Sequence, residues 1–384
     1  MAAFSRSVIF LLVSLLAFTV AMAMLNTLVP LWLTHEGLAT LPIGIVSSGF
    51  FLGNLIGTLV AGYFIYYVGF NRSFYLATLV FILSTLALML SYHFISWTVW
   101  RLFSGIACAA VWVIVESALL LSGTLKTRGL LLAAYMMVYY LASVLGQLFI
   151  NIAPNELDAI MPWLVAMLIV GMLPQLFVKL PRITTLPNQR MLLQMVKIKE
   201  ARVGILGCVI SGIILGTLYS LMPVYLSHAH FTNSQVAYAM AILIGAGILG
   251  QFPMGRLAAR RGRLPVLQIQ SLSIVLMALA VLVVPNSLFV ALLMLGCFSF
   301  TLYPLTMAWA CEQVDVRHIV PMNQTLLLNY TIGSLIGPTM TATAMQWYGD
   351  SALFIIIMLS ALFYLFVLLI YRKRHTITKK PLLV

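Results

Sequence analysis

The sequence predicts an all-α polytopic membrane protein: twelve transmembrane helices in two pseudo-symmetric six-helix bundles. Three observations predict it. Hydrophobic residues fill 63% of the 384 positions and charged residues only 8%, where a soluble domain carries roughly 25% charged residues. Lipid must therefore solvate much of the surface. Polar punctuation next divides the chain into twelve apolar runs, each near the roughly 20 residues a helix needs to cross a bilayer. Finally, the chain contains itself twice. A shift of 193 lays Leu28 on Leu221, Pro30 on Pro223, Leu33 on Leu226 and His35 on His228. The same shift lays Gly57, Gly62 and Gly69 on Gly250, Gly255 and Gly262. Glycine and proline mark places where backbone, not side chain, sets the geometry.

The first bundle, 1–178, holds spans near 8–33, 42–68, 74–92, 97–122, 130–152 and 161–178. Span one begins after Arg6 and contains Ala21-Met22-Ala23, which imitates a signal-peptide cleavage site. The apolar run continues to Leu33, long enough to span, so it is expected to remain as the first helix. The stretch 179–202 is the longest non-apolar segment and reads as the linker between halves. Within it, Gln189–Glu200 is apolar and basic by turns. It is either an amphipathic helix on the anionic inner leaflet or a solvated linker.

The second bundle, 203–371, holds spans near 203–226, 235–258, 265–284, 288–311, 320–345 and 351–371. Val284-Pro285-Asn286-Ser287 is a short, turn-like break. Residues 372–384 form a basic tail. The runs are too long, and lack the alternation, for an outer-membrane barrel. Cys108, Cys208, Cys297 and Cys311 lack metal-ligand spacing and read as buried reduced thiols.

The net charge of +13 is a matter of topology. With the N-terminus in the cytoplasm, twenty of the twenty-one lysines and arginines fall on the inner side. The exterior loops carry Glu36, Glu156, Asp158 and Asp350 instead. This is the positive-inside pattern. It places both termini in the cytoplasm and leaves no patch for nucleic acid.

Two stretches carry a resemblance. Gly255-Arg256-Leu257-Ala258-Ala259-Arg260-Arg261-Gly262-Arg263 stands where the first half has Gly62-Tyr63-Phe64-Ile65-Tyr66-Tyr67-Val68-Gly69-Phe70-Asn71-Arg72. Arg101-Leu102-Phe103-Ser104-Gly105 sets an arginine four residues before a glycine. On these stretches the chain resembles the major facilitator superfamily over its whole length. Arg128–Tyr140 and Phe300–Glu312 are similar to its YcaD-type branch of bacterial inner-membrane proteins, which implies that location for this chain. The resemblance implies two bundles that rock about a central site, with charges of the loop motif latching the cytoplasmic side. The motif's aspartate is Tyr66 in the first copy and Ala259 in the second, so an aspartate-centred latch is not expected.

The helical period puts Arg101, Gly105, Cys108, Trp112 and Glu116 on one stripe of span four. An intramembrane charge costs roughly 2.5–3.5 kcal/mol on insertion scales. Arg101 is the candidate for coupling or substrate contact; a structural polar contact and snorkelling to the exterior interface are the plainer readings. Glu116 and Glu312 read as counterparts near the inner ends of spans four and ten. They could carry a transported proton, or act as gate partners: Glu116 with Arg72, Lys126 or Arg128, and Glu312 with Arg260, Arg261 or Arg263. The same correspondence sets Cys297 opposite Arg101. Spans five and eleven repeat at 191, with Tyr139, Ser143 and Gly146 on Tyr330, Ser334 and Gly337. Gly333–Pro338 is similar to the family's antiporter motif, though small residues also serve helix packing.

Asn26, Trp112, Tyr135, Tyr139, Tyr219, Tyr303, Asn329 and Tyr330 are candidates to line a cavity for an amphipathic organic molecule. Each, taken alone, more often serves interhelical packing than ligand contact. The phosphate-binding Gly-x-x-x-x-Gly-Lys-Ser/Thr pattern is absent, as is any His/Cys metal cluster. No enzyme activity and no cofactor are expected. The expectation is a secondary transporter of a small organic solute, working by alternating access as a monomer and driven by protons. A receptor on the same scaffold and a lipid flippase are the alternatives.

Overall fold

The computed structural model describes residues 5–90, 93–122, 127–152, 157–178, 194–284, 288–315 and 318–378. Within them lie twelve long helices. The first six are α1 (Arg6–His35), α2 (Thr40–Val68), α3 (Phe70–Leu88), α4 (Phe94–Ser122), α5 (Arg128–Phe149) and α6 (Leu157–Met172). The second six are α7 (Arg202–His228), α8 (Asn233–Arg261), α9 (Arg263–Val283), α10 (Leu288–Cys311), α11 (Ile319–Tyr348) and α12 (Ala352–Thr378). Ten are long and apolar enough to cross a bilayer. The other two are α5, whose described apolar stretch Ala133–Phe149 is short, and α11. The latter carries Asn323, Gln324, Asn329 and a run of threonines, because it packs against the opposite bundle rather than lipid.

Local chemistry fixes the ends. Ser5 Oγ accepts from the Val8 amide at 3.3 Å and starts α1. Thr232 and Gln235 form a capping box that starts α8. The sixth span stops short of expectation as α-helix: after Met172 it tightens into a 3-10 turn, Leu173–Phe177, because Pro174 has no N–H to donate. Gly69 and Gly262 turn the chain between α2 and α3 and between α8 and α9 with φ of 88° and 81°. That left-handed backbone is why both repeats keep glycine there.

The junctions after α1, α3, α5, α7, α9 and α11 lie at one end, here called the acidic end. The other junctions, the start of α1 and the end of α12 lie at the basic end. Residues 179–193 and 379–384 fall outside the described residues. From Gln194 the linker makes one helical turn, and Met195 buries against Ala201, Ile205 and Leu326 of the second half.

The repeat is visible in close helix packing. A Cβ on Gly105 of α4 would collide with the Phe50 carbonyl of α2, and one on Gly296 of α10 with the Leu243 carbonyl of α8. Gly57 against Ile106 and Gly250 against Cys297 repeat the contact. Phe50 and Leu243 keep the shift of 193, so α4 and α10 correspond at 191. Glu116 therefore corresponds to Met307, and Arg101 to Leu292. The expected pairings of Glu116 with Glu312, and of Arg101 with Cys297, are corrected. Small residues at the crossing set the register, not charges near helix ends.

Candidate solute site between the two bundles

The bundles meet through α2 with α11, α5 with α8, and α1 with α7. Their hydrogen bonds cluster at the acidic end. Ser48 Oγ donates to the Leu335 carbonyl at 2.7 Å, and Thr339 Oγ1 donates to Ser48 Oγ at 2.7 Å. The Leu41 amide donates to Gln346 Oε1 at 3.1 Å, and His35 bonds Asn233 at 3.1 Å. Ser234 donates to Asn151. Deeper in, Gln251 Nε2 reaches the Tyr140 hydroxyl at 3.4 Å.

At mid-depth, aromatic residues from five helices converge. Trp112 of α4 meets Tyr139 of α5 edge-on at 5.8 Å, and Tyr139 meets Tyr140 at 5.4 Å. Tyr140 contacts Phe300 of α10 at 6.2 Å, and Phe300 contacts Tyr219 of α7 at 5.5 Å. Tyr303 packs on Tyr330 of α11 at 4.7 Å. The Tyr219 and Tyr139 phenols meet across the halves. Six of the eight sequence candidates thus join one region: Trp112, Tyr135, Tyr139, Tyr219, Tyr303 and Tyr330. Asn329 instead donates to its own helix, to the Thr325 carbonyl at 2.8 Å. Asn26 belongs with Arg101. Sequence reasoning missed Phe300, because one phenylalanine in an apolar helix carries no signal of its own.

Glu116 sits on α4, half-buried, and its charge reaches the phenols of Tyr135 and Tyr303. Of the eight acidic residues in the chain, it alone lies inside one of the ten spans. It makes no ion pair among the described residues. Arg72 is exposed, and Lys126 and the Arg128 side chain lie outside the described residues. One turn earlier, Trp112 Nε1 is buried with no hydrogen-bond partner.

A cavity of about 460 Å³ opens beside this region, between α8 and α10 toward the basic end. Its walls include Gln251, Gly255, Ala258, Ala259 and Pro304. The first half has Ile65 and Tyr66 where the second has Ala258 and Ala259, so lost side-chain volume creates the space. Pro304 adds a break in the hydrogen-bond ladder of α10. At the mouth, Arg263 pairs with Glu312 at 2.9 Å. Arg260 and Arg261 are exposed at the end of α8.

Arg101 does not snorkel. Its side chain is 3% exposed and points to α1 and α2. Nη2 donates to Asn26 Oδ1 at 2.7 Å, and the guanidinium lies over the Phe50 ring at 4.2 Å. Trp97, one turn nearer the acidic end, is fully buried edge-on against Trp32.

Twelve helices in two repeated bundles, with an aromatic site between them, define the architecture of a membrane transporter. The sequence profile of the Major Facilitator Superfamily matches residues 9–321. The chain belongs to that superfamily. It is 52% identical over 377 residues to an uncharacterized transporter of this type from Yersinia enterocolitica, covering 96% of this chain and 97% of that one. It is 50% identical over 377 residues to YcaD of Escherichia fergusonii, covering 98% of each. Among solved structures, the nucleoside transporter NupG superposes with a TM-score of 0.80 at 12% identity, over 95% of this chain and 99% of that one. A bacterial homologue of the human lysosomal transporter Spinster, inward-facing and unoccupied, gives 0.73 at 15% identity over 95% and 94%. At such identities the likeness is one of fold.

Proposed function

We propose that this chain is a proton-coupled secondary transporter of a small organic solute in a bacterial inner membrane. The basic end and both termini face the cytoplasm, as the charge distribution argues. The halves 1–178 and 203–371 rock about the aromatic region, and one chain suffices. The supporting observation is the closed acidic end. Hydrogen bonds between the halves hold it, while a cavity opens toward the basic end. This corresponds to an inward-open state, with the α8–α10 cavity as part of the inner vestibule.

The solute lies against the aromatic faces of Trp112, Tyr139, Tyr219, Tyr303 and Tyr330. Glu116 is the proton carrier: it is the acid inside the membrane, it faces the second half through Tyr303, and no cation neutralises it among the described residues. Protonation removes a half-buried charge and lets α4 approach α10 without leaving a carboxylate unpaired. Arg263 and Glu312 shape the inner mouth. Flux of a compound panel into inside-out vesicles at two imposed pH gradients tests the reading. Uptake of one compound that follows the gradient is expected. Flux indifferent to the gradient, or none for any compound, contradicts it.

A further inference from the structure

We infer that Arg101 is an anion site, to which the transported solute presents a carboxylate or similar anionic group on its path to or from the aromatic region, roughly 16 Å further along α4. The identity of the anion as solute rests on the transport reading above; the site itself does not.

The argument begins with an imbalance. Arg101 is 3% exposed, yet only Nη2 of its guanidinium has a hydrogen-bond partner. Nε and Nη1 are buried without any. The one partner is a neutral amide, Asn26 Oδ1, whose own Nδ2 is turned to the Met22 sulfur at 2.9 Å. Below lies the Phe50 ring, which attracts a cation but does not neutralise it. No described carboxylate forms an ion pair with Arg101, and Glu116 stands about 22 Å away along α4 at 1.5 Å per residue.

A buried cation without a counter-charge carries a desolvation penalty of several kcal/mol. Two orphaned donors add about 1–3 kcal/mol each. A purely structural contact does not need a guanidinium here, since a glutamine would satisfy Asn26. Nε and Nη1 point from opposite edges of the guanidinium, and Nε with the second N–H of Nη2 forms the fork that a carboxylate accepts in two parallel bonds. The surroundings also exclude a rival acid: α1 offers Asn26 and Thr27, α2 offers Phe50, and Thr27 is already bonded to Gln147 at 2.8 Å. What is missing is a counter-anion. The carboxylate of a solute and a free inorganic anion are its two sources.

The test reads binding, not transport. Protein in lipid nanodiscs is titrated with sodium benzoate, sodium chloride and the neutral isostere benzamide. Tryptophan fluorescence, to which Trp97 and Trp100 beside Arg101 contribute, and the thermal midpoint are followed. A saturable response to benzoate, absent with benzamide, is expected. Arg101→Gln should weaken it by about tenfold or more, the loss of charge-assisted hydrogen bonds. A response to chloride alone keeps the anion site and assigns it to an inorganic ion. Asn26→Asp guards against misfolding of the first variant, because it supplies an internal carboxylate 2.7 Å from Nη2. It should raise the thermal midpoint and abolish the benzoate response. Equal responses to benzoate and benzamide, no response to either anion, or an unchanged response in both variants would overturn the inference. A failed vesicle flux with intact benzoate binding would instead reject the transport reading alone.

Discussion

Arg263 and Glu312 form an ion pair at 2.9 Å that joins the start of α9 to the end of α10. Both belong to the second bundle, so the pair braces one half rather than tying two together. The side chains are 29% and 55% exposed, and solvent-exposed pairs contribute about 0–1 kcal/mol. Glu312→Gln should therefore cost less than about 1 kcal/mol, a loss that vanishes in high salt. Spin-label distances between the bundles should not change. A large shift in those distances would show that Glu312 reaches across the halves in another state.

The acidic end behaves differently. Ser48 both donates to Leu335 and accepts from Thr339 across the halves. Ser48→Ala removes two bonds of about 0.5–1.5 kcal/mol net each. Only the closed acidic end uses them. The balance should move toward the outward-open form by roughly 5- to 30-fold, the effect of one or two kcal/mol. Spin labels on the α1–α2 and α7–α8 loops would report longer distances; unchanged distances would remove Ser48 from the gate.

Glycines of the repeat should divide sharply. Gly105 touches the Phe50 backbone, so Gly105→Ala must push α4 from α2, at a cost of about 1–3 kcal/mol for overpacking. Gly255 has nothing within 4 Å of its would-be Cβ. Gly255→Ala should fold as well as the parent while narrowing the α8–α10 cavity. Thermal unfolding in detergent compares the two; equal losses would contradict the packing account.

His230 adopts φ of 62°, the sole non-glycine residue with positive φ among those described, and the shift of 193 sets it on Gly37 at 76°. Left-handed backbone costs an ordinary residue roughly 1–2 kcal/mol. Gly37→Ala should lose about that much, and His230→Gly should lose nothing and gain up to about 1 kcal/mol. Thermal midpoints of both variants check the sign.

Helices and ends were largely legible, because bilayer thickness, proline and glycine act locally. Span ten was read as 288–311, and α10 runs Leu288–Cys311. The register of α4 on α10 was not. Two glutamates near helix ends suggested a shift of 196, whereas Gly105 and Gly296 at the crossings require 191. Depth along a helix is legible, but the side it turns to a partner depends on small residues in both. The aromatic region was half legible: tyrosines announce themselves, and Phe300, which links Tyr140 to Tyr219, does not. The α8–α10 cavity comes from volume missing at Ala258 and Ala259, which is visible only against Ile65 and Tyr66 of the other copy. Arg101 was legible as a costly charge. Its want of a counter-charge needed the packing of Asn26 and Phe50 around it.

The central claim is that two halves alternate and that a proton on Glu116 couples them to a gradient. Glu116→Gln in proteoliposomes tests it most directly, using the compound that the wild-type chain accumulates. With the carboxyl fixed as a neutral amide, exchange of labelled for unlabelled solute should persist, while uptake driven by a pH gradient and the accompanying proton flux, read by entrapped pyranine, should be lost. Gradient-driven accumulation at the wild-type level in Glu116→Gln would contradict the account.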